Sequence, residues 1–325
     1  MSEQASKNKQ GTPAYRGMAL ENSELAEASK SHPHVHSWII VLLGAVVGLL
    51  IAIFWVPAIA DDTIGVNLAS SILGTNAALV RLTGGWFSLA FAIAVGLGNT
   101  FTACNCAVFS CIAPLSGQKR QTKAGVWYQL AFIATGVIVV TILYGIIGVL
   151  LNQQIPSLSN ATLSIGRGFP VRLVQSTTVF VILGIVLFYW GLVTLRLVRN
   201  PLAKLVEQHL WTIPLSLGVI VGCFSIGRPY PLFQILFHYV AGSGNILVSA
   251  ILMGLQGLCN IVVMALLFVL LMFGTGGRVE RWMQESPLRM QAITAFSVIG
   301  AGVFLIAYWG MRLPAQLGIG WFPHL

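Results

Sequence analysis

Seven apolar runs, each about 20 residues or longer, restrict this chain to very few folds. They cover residues 38–56, 86–115, 126–151, 176–195, 213–240, 247–273 and 292–311. A helix of about 20 apolar residues crosses the ~30 Å hydrocarbon core of a bilayer, and there every backbone polar group must be paired within the protein. Only 8% of the 325 residues are charged, against about 25% in soluble domains. The sequence therefore predicts an all-α polytopic membrane protein with about seven transmembrane helices, embedded in a lipid bilayer.

The basic residues predict the orientation of these helices. Thirteen of the 18 Lys and Arg residues lie in the N-terminal tail and alternate loops, four lie on the opposite side, and Arg228 lies within a run. Because cytoplasmic loops carry an excess of Lys and Arg, we expect a cytoplasmic N-terminus and an external C-terminus. The net charge of +9 then reflects topology, and we expect no nucleic-acid partner.

Glycine and proline divide the chain into two similar units. After a polar tail at 1–37, expected to be disordered, and an N-terminal transmembrane helix at 38–57, residues 85–195 and 212–312 each form a unit of three spans; an external tail follows at 313–325. Each unit opens with an interrupted segment, containing Gly96 and Gly98 in the first unit and residues 222–231 in the second. Three spans per unit imply an inverted repeat, and paired broken segments indicate a central site.

Three of the five cysteines lie in the first broken segment. Cys104, Cys106 and Cys111 form a C-x-C-x4-C pattern, which makes them candidate redox thiols or ligands for a soft metal ion. The alternative is that they are small apolar fillers, since free cysteine is often buried. Helical spacing places Cys104 and Cys111 on one face and Cys106 on nearly the opposite face. No cofactor is predicted, and the identity of any metal stays open.

The second broken segment supplies the other candidate site residues, Cys223, Arg228, Pro229 and Tyr230. An arginine at the centre of a membrane helix costs about 2.5 to 3.5 kcal/mol on insertion scales, which favours a functional role for Arg228. The alternative is that the break lets its side chain reach an interface or backbone carbonyls. A set of polar residues within the runs either lines a cavity or serves as interhelical hydrogen-bonding groups: Asn99, Asn105, Gln234, His238, Gln256 and Asn260.

On these residues the chain resembles the membrane thiol–disulfide relays of the DsbD and CcdA type, a cytochrome c biogenesis family within the lysine-exporter-like superfamily. It is most similar to the methylamine-utilisation MauF branch. In that family each unit carries one cysteine in its broken helix, and the pair passes electrons from cytoplasmic thioredoxin to periplasmic acceptors. Cys104, eight residues after Gly96, matches the first cysteine, whereas Tyr230, eight residues after Gly222, replaces the second. Tyrosine cannot form that disulfide.

The resemblance implies a helper in the bacterial inner membrane that matures a periplasmic protein. It points to methylamine dehydrogenase as the client, with thiol–disulfide chemistry and a thiol-redox partner as the means. Two alternatives come from the residues. The architecture and the C-x-C pattern also suit a transporter of a small solute or soft metal ion, and Tyr230 in place of a cysteine suits a non-catalytic scaffold. The absence of Asp and Glu from all seven runs argues against proton-coupled transport, which commonly uses intramembrane carboxylates.

Overall fold

The described part of the chain is almost entirely helical. The computed structural model describes residues 34–55, 63–100, 123–159, 161–163, 169–200, 211–226, 228–274 and 287–316. In chain order the helices are α1 (His34–Phe54), α2 (Asn67–Leu73), α3 (Trp86–Asn99), α4 (Lys123–Leu151), α5 (Val171–Thr194), α6 (Thr212–Cys223), α7 (Pro231–Gly242), α8 (Ile246–Gly274) and α9 (Pro287–Gln316). Short 3-10 helices lie at Ala77–Leu79 and Asn152–Gln154, and Thr162–Leu163 pairs antiparallel with Phe169–Pro170.

Five of these helices contain stretches long and apolar enough to cross a membrane. The stretches are Ser37–Phe54, Trp127–Leu151, Val171–Thr194, Ile246–Leu270 and Gln291–Met311. They expose many large apolar side chains, among them Leu42, Leu150 and Leu270, which in water would form an apolar surface far larger than soluble monomers carry. The protein therefore has the features of a multi-pass membrane protein. The expectation of about seven spans is met only in part, because the described residues contain five.

The second and fifth apolar runs differ from the other five. In the second, α3 ends at Asn99 after 14 residues, and residues 101–122 lie outside the described part. In the fifth, α6 and α7 have 12 residues each and are separated by residues 224–230. Pro231 cannot donate a backbone hydrogen bond, and Tyr230 before it is extended, with φ −60° and ψ 123°, as a residue preceding proline tends to be. The interruption expected in the fifth run is therefore present.

Two of the predicted boundaries shift. The first helix begins at His34, inside the segment expected to be a tail up to residue 37. The last helix continues to Gln316 with Pro314 inside it, beyond the predicted end at 312. In both cases the helix continues into residues that flank the apolar run. The length of an apolar run does not by itself fix where a helix begins or ends.

The long helices pack through small residues. Helix α9 packs along α5 and α1, and α8 packs along α4 and α3. A Cβ added at Gly302 of α9 would lie 2.7 Å from Gly184 O of α5, and one at Gly136 of α4 would lie 2.7 Å from Leu215 O of α6. Lipid is as apolar as these side chains, so close backbone packing is what holds such helices together.

Helix α7 buries most of its apolar side chains against the rest of the protein. Leu232, Phe233, Leu236, Phe237 and Val240 are fully buried, and α7 packs on α4, α8 and α3. Phe237 stacks on Tyr144 of α4 with ring centroids 4.6 Å apart. Twelve residues give a helix of about 18 Å, too short to cross the hydrocarbon core. Its apolar side chains are buried by protein instead.

A short unit that the sequence did not predict covers α3. Residues 63–66 form a π-helical turn that leads into α2, and Gly74 ends α2 in the left-handed conformation with φ 68°. Helix α2 packs on α3, and the 3-10 helix Ala77–Leu79 packs on α7. We call residues 63–79 the α2 unit. It closes one side of the region where the two broken segments meet.

Candidate functional site

The two interrupted segments meet at Arg228. This residue follows the end of α6, its side chain is only 2% exposed, and it is the one charged side chain found buried among the residues whose burial the structure describes. Its Nη2 donates a hydrogen bond of 3.2 Å to the backbone carbonyl of Asn99, the last residue of α3. The last carbonyls of a helix lack partners within the helix and form the negative end of its dipole. The guanidinium therefore lies where its charge and its donors both stabilise α3.

A second hydrogen bond holds the same end of α3. Thr100 Oγ1 donates to the carbonyl of Asn260 on α8 at 3.0 Å, and the side chains of Asn99, Thr100 and Asn260 are all buried. On the opposite side of the break, Gln234 Nε2 donates to the carbonyl of Arg228. We call Asn99, Thr100, Arg228 and Asn260 the α3 clamp, because their contacts join the end of α3 to the second unit.

Tyr230 lies between the α2 unit and α3. Its side chain is 2% exposed, and two glycines make room for its hydroxyl group. A Cβ at Gly65 would lie 2.7 Å from Tyr230 Oη, and one at Gly98 would lie 2.9 Å from the same atom. Tyr230 therefore has a packed position that any larger residue at Gly65 or Gly98 would disturb.

The interface between α3 and α8 carries buried amides. Asn99, Gln256 and Asn260 are 0 to 2% exposed, and Gly96 lets α3 approach the backbone of α8, since a Cβ there would lie 2.5 Å from Gln256 O. Neither amide atom of Gln256 has a hydrogen-bond partner in the described part of the chain. A buried polar group without a partner costs about 1–3 kcal/mol, so Gln256 is a costly residue at the centre of the protein.

The predicted thiols lie outside the described residues. Cys104, Cys106 and Cys111 all fall within 101–122. Cys104 nevertheless follows Thr100 by only four residues in the sequence. The clamp fixes the starting point of the cysteine segment.

The other predicted site residues separate into two groups. Arg228 and Tyr230 are buried together at the break, while Pro229 between them is exposed. Cys223, a free thiol at the end of α6, is half-buried, and Cys259 on α8 lies buried against Gly96 of α3. Among the described residues, no three His, Cys, Asp or Glu side chains form a group that could hold a metal ion.

Of the buried polar residues in the described ranges, the sequence singled out Asn99, Arg228, Gln256 and Asn260 but missed residues that contact them. Asn99, Gln234, Gln256 and Asn260 were candidates, and the structure brings them to the meeting point of the broken segments, whereas His238 is exposed. Thr100 and Gly65 were missed. Threonine is a favoured residue at helix N-caps, whereas Thr100 follows the C-terminal end of α3, and Gly65 precedes α2 in a stretch with no long apolar run.

The chain matches no protein-family model, curated protein or solved structure. The similarity to the DsbD and CcdA type therefore stays an expectation from the residues quoted above.

Proposed function

We propose that this protein is an integral membrane helper for the maturation of a periplasmic protein, acting by thiol–disulfide exchange at Cys104, Cys106 and Cys111. The observation that carries the proposal is the hydrogen bond from Arg228 to the Asn99 carbonyl. In the relays that this chain resembles, the two broken segments lie side by side because each of them contributes one cysteine. The contact joins the two segments at Asn99, five residues before Cys104.

We also propose that residues 85–195 and 212–312 are inverted repeats. In support, α4 and α8 have 29 residues each, and α3 packs on α8 as α6 packs on α4. A glycine lies at each of these two crossings: Gly96 against Gln256 and Asn260 of α8, and Gly222 against Val137 and Val140 of α4. An exchange of the two units would turn each of these two crossings into the other.

The proposed exchange moves two electrons. A thiolate of the cluster attacks a disulfide of the client, forming a mixed disulfide and releasing one client thiolate, which takes up a proton. A second cluster thiolate attacks the mixed disulfide, releases the second client thiol and leaves the cluster oxidised. A dithiol of the thioredoxin class reduces the cluster again and becomes a disulfide itself. Because Tyr230 cannot take part, both thiols come from the 104–111 cluster.

The proposal includes the bacterial inner membrane as the location, with the N-terminus in the cytoplasm. The excess of basic residues in the N-terminal tail and alternate loops supports this orientation. The similarity to the MauF branch makes methylamine dehydrogenase the proposed client. A periplasmic client would then meet the cluster from the outer side of the membrane.

Transport of a small solute is the second candidate function. The observation that favours it is Gln256, whose fully buried amide has no hydrogen-bond partner in the described ranges. A polar solute that reached the α3–α8 interface would find both a donor and an acceptor there. Buried polar groups inside a membrane often mark a substrate path.

Replacing cysteines one at a time separates the two functions. We expect Cys104→Ser and Cys106→Ser to abolish or strongly reduce maturation of the client, and Cys259→Ser to leave it near normal. Cys259 is the matched control, because it is a membrane cysteine outside the cluster. Trapping with an alkylating agent should capture a mixed disulfide between the protein and its client. Full activity of the variant with serine at 104, 106 and 111, at normal abundance in the membrane, contradicts thiol exchange and leaves transport or a scaffold role.

A further inference from the structure

We infer that Arg228 is a positioning residue, which caps the end of α3 and so fixes where the chain leaves α3 ahead of Cys104. The consequence for Cys104 rests on the proposed thiol exchange, whereas the capping itself does not. It follows from the way in which helix α3 ends at Asn99.

Helix α3 does not end in the way that isolated helices commonly do. Many helices end with a glycine in the left-handed conformation, which satisfies the last carbonyls locally. Thr100, at the C-cap of α3, has φ −60° and ψ −32° and so stays in the right-handed region, with its N–H directed to Leu97 O and Gly98 O. No local left-handed turn therefore ends the helix at Thr100.

The contacts that hold this end come from the second unit. The Asn99 carbonyl accepts from Arg228 Nη2, and the Thr100 hydroxyl donates to Asn260 O. Both donors and both acceptors belong to buried residues. A hydrogen bond with a charged partner is roughly twice as strong as one between neutral groups, so the arginine contact is the stronger of the two.

Arginine suits this role better than lysine. Its planar guanidinium keeps its charge and offers five donors in a fixed arrangement, so it can bind more than one acceptor at once. Lysine would keep the charge near the negative end of α3 but with a different shape and reach. A comparison of Arg228→Lys with Arg228→Met therefore separates two effects on the stability of the end of α3: that of the positive charge and that of the whole arginine side chain.

Hydrogen–deuterium exchange of the protein in lipid nanodiscs tests the inference. We expect Arg228→Met to speed exchange in residues 95–100 about tenfold or more, because a lost contact of 1.4 kcal/mol corresponds to a factor of ten. Arg228→Lys should give a smaller increase in the same residues. Arg172→Met is the matched control: it removes an arginine whose side chain is exposed at the start of α5, and it should leave residues 95–100 unchanged.

Two results would overturn the inference. One is unchanged exchange of residues 95–100 in Arg228→Met. The other is an equal increase in all helices, since that indicates general destabilisation. If Arg228→Met does not accumulate, Arg228→Lys against wild type decides by the same criteria. The exchange measurement needs no thiol activity, so it remains valid if the proposed function fails. If thiol exchange does occur, the yield of mixed disulfide should fall in Arg228→Met and partly recover in Arg228→Lys.

Discussion

Replacing Gly302 with alanine should force α5 and α9 apart. A Cβ at this position would lie 2.6 Å from Phe188 N and 2.7 Å from Gly184 O. Non-bonded heavy atoms are most favourable at about 3.5–4.0 Å. Both obstructing atoms belong to the backbone of α5, so no side-chain rotation can relieve the overlap.

Gly310 supplies the control in the same helix. A Cβ at Gly310 would have no atom within 4 Å, so Gly310→Ala only changes the helix propensity, a gain of roughly 0.5–1 kcal/mol. Gly302→Ala gains the same helix propensity, but its methyl group also overpacks the interface between α5 and α9. Overpacking of this kind typically costs about 1–3 kcal/mol. Because the propensity cancels between the two variants, their difference in unfolding free energy should be about 1–3 kcal/mol.

Thermal unfolding of both variants in one detergent measures this difference. We expect Gly302→Ala to have a lower Tm than Gly310→Ala by several degrees, since about 1 kcal/mol shifts the Tm of a protein of 150–250 residues by roughly 2–4 °C. Wild type should lie between them or close to Gly302→Ala. Equal Tm values for the two variants would refute the close crossing of α5 and α9.

Three further predictions concern the centre and the topology. Gln256→Met should raise the free energy of unfolding by about 1–3 kcal/mol, because it removes a buried amide without a partner; lower stability in chemical denaturation would contradict this. Gly65→Ala should destabilise the protein, because it brings a methyl group against Tyr230 Oη. In a double-mutant cycle Tyr230→Phe should recover part of this loss, with a coupling energy of about 0.5–3 kcal/mol, and a coupling energy of zero would refute the contact. Reporter fusions after Gly117 and Gln153 should report opposite sides of the membrane, and the predicted topology fails if they agree.

The apolar runs predicted the long helices well because hydrophobic length is a property of local sequence. The third and sixth runs, predicted at 126–151 and 247–273, correspond to α4 and α8. The break in the fifth run was also predictable, since Pro231 acts on its own backbone and on the residue before it. Each of these predictions depended on a residue and its immediate neighbours.

The contacts at the centre were not predictable in the same way. Nothing near Arg228 in the sequence indicates that its guanidinium meets the Asn99 carbonyl, 129 residues earlier. Likewise, the small size required at Gly65 depends on Tyr230, which approaches it only in the folded protein. These pairings arise from tertiary packing, and a single sequence does not record which distant segments meet.

The shortness and burial of α7 have a consequence for synthesis in the membrane. At about 18 Å, α7 is too short to be inserted as an independent span, and part of its packing is against α8, which is made after it. During translation the segment from α6 to α7 must therefore remain incompletely packed until α8 has entered the bilayer. Truncation after residue 245 should therefore leave this segment exposed to membrane proteases, because the α8 surface that packs against α7 is never made.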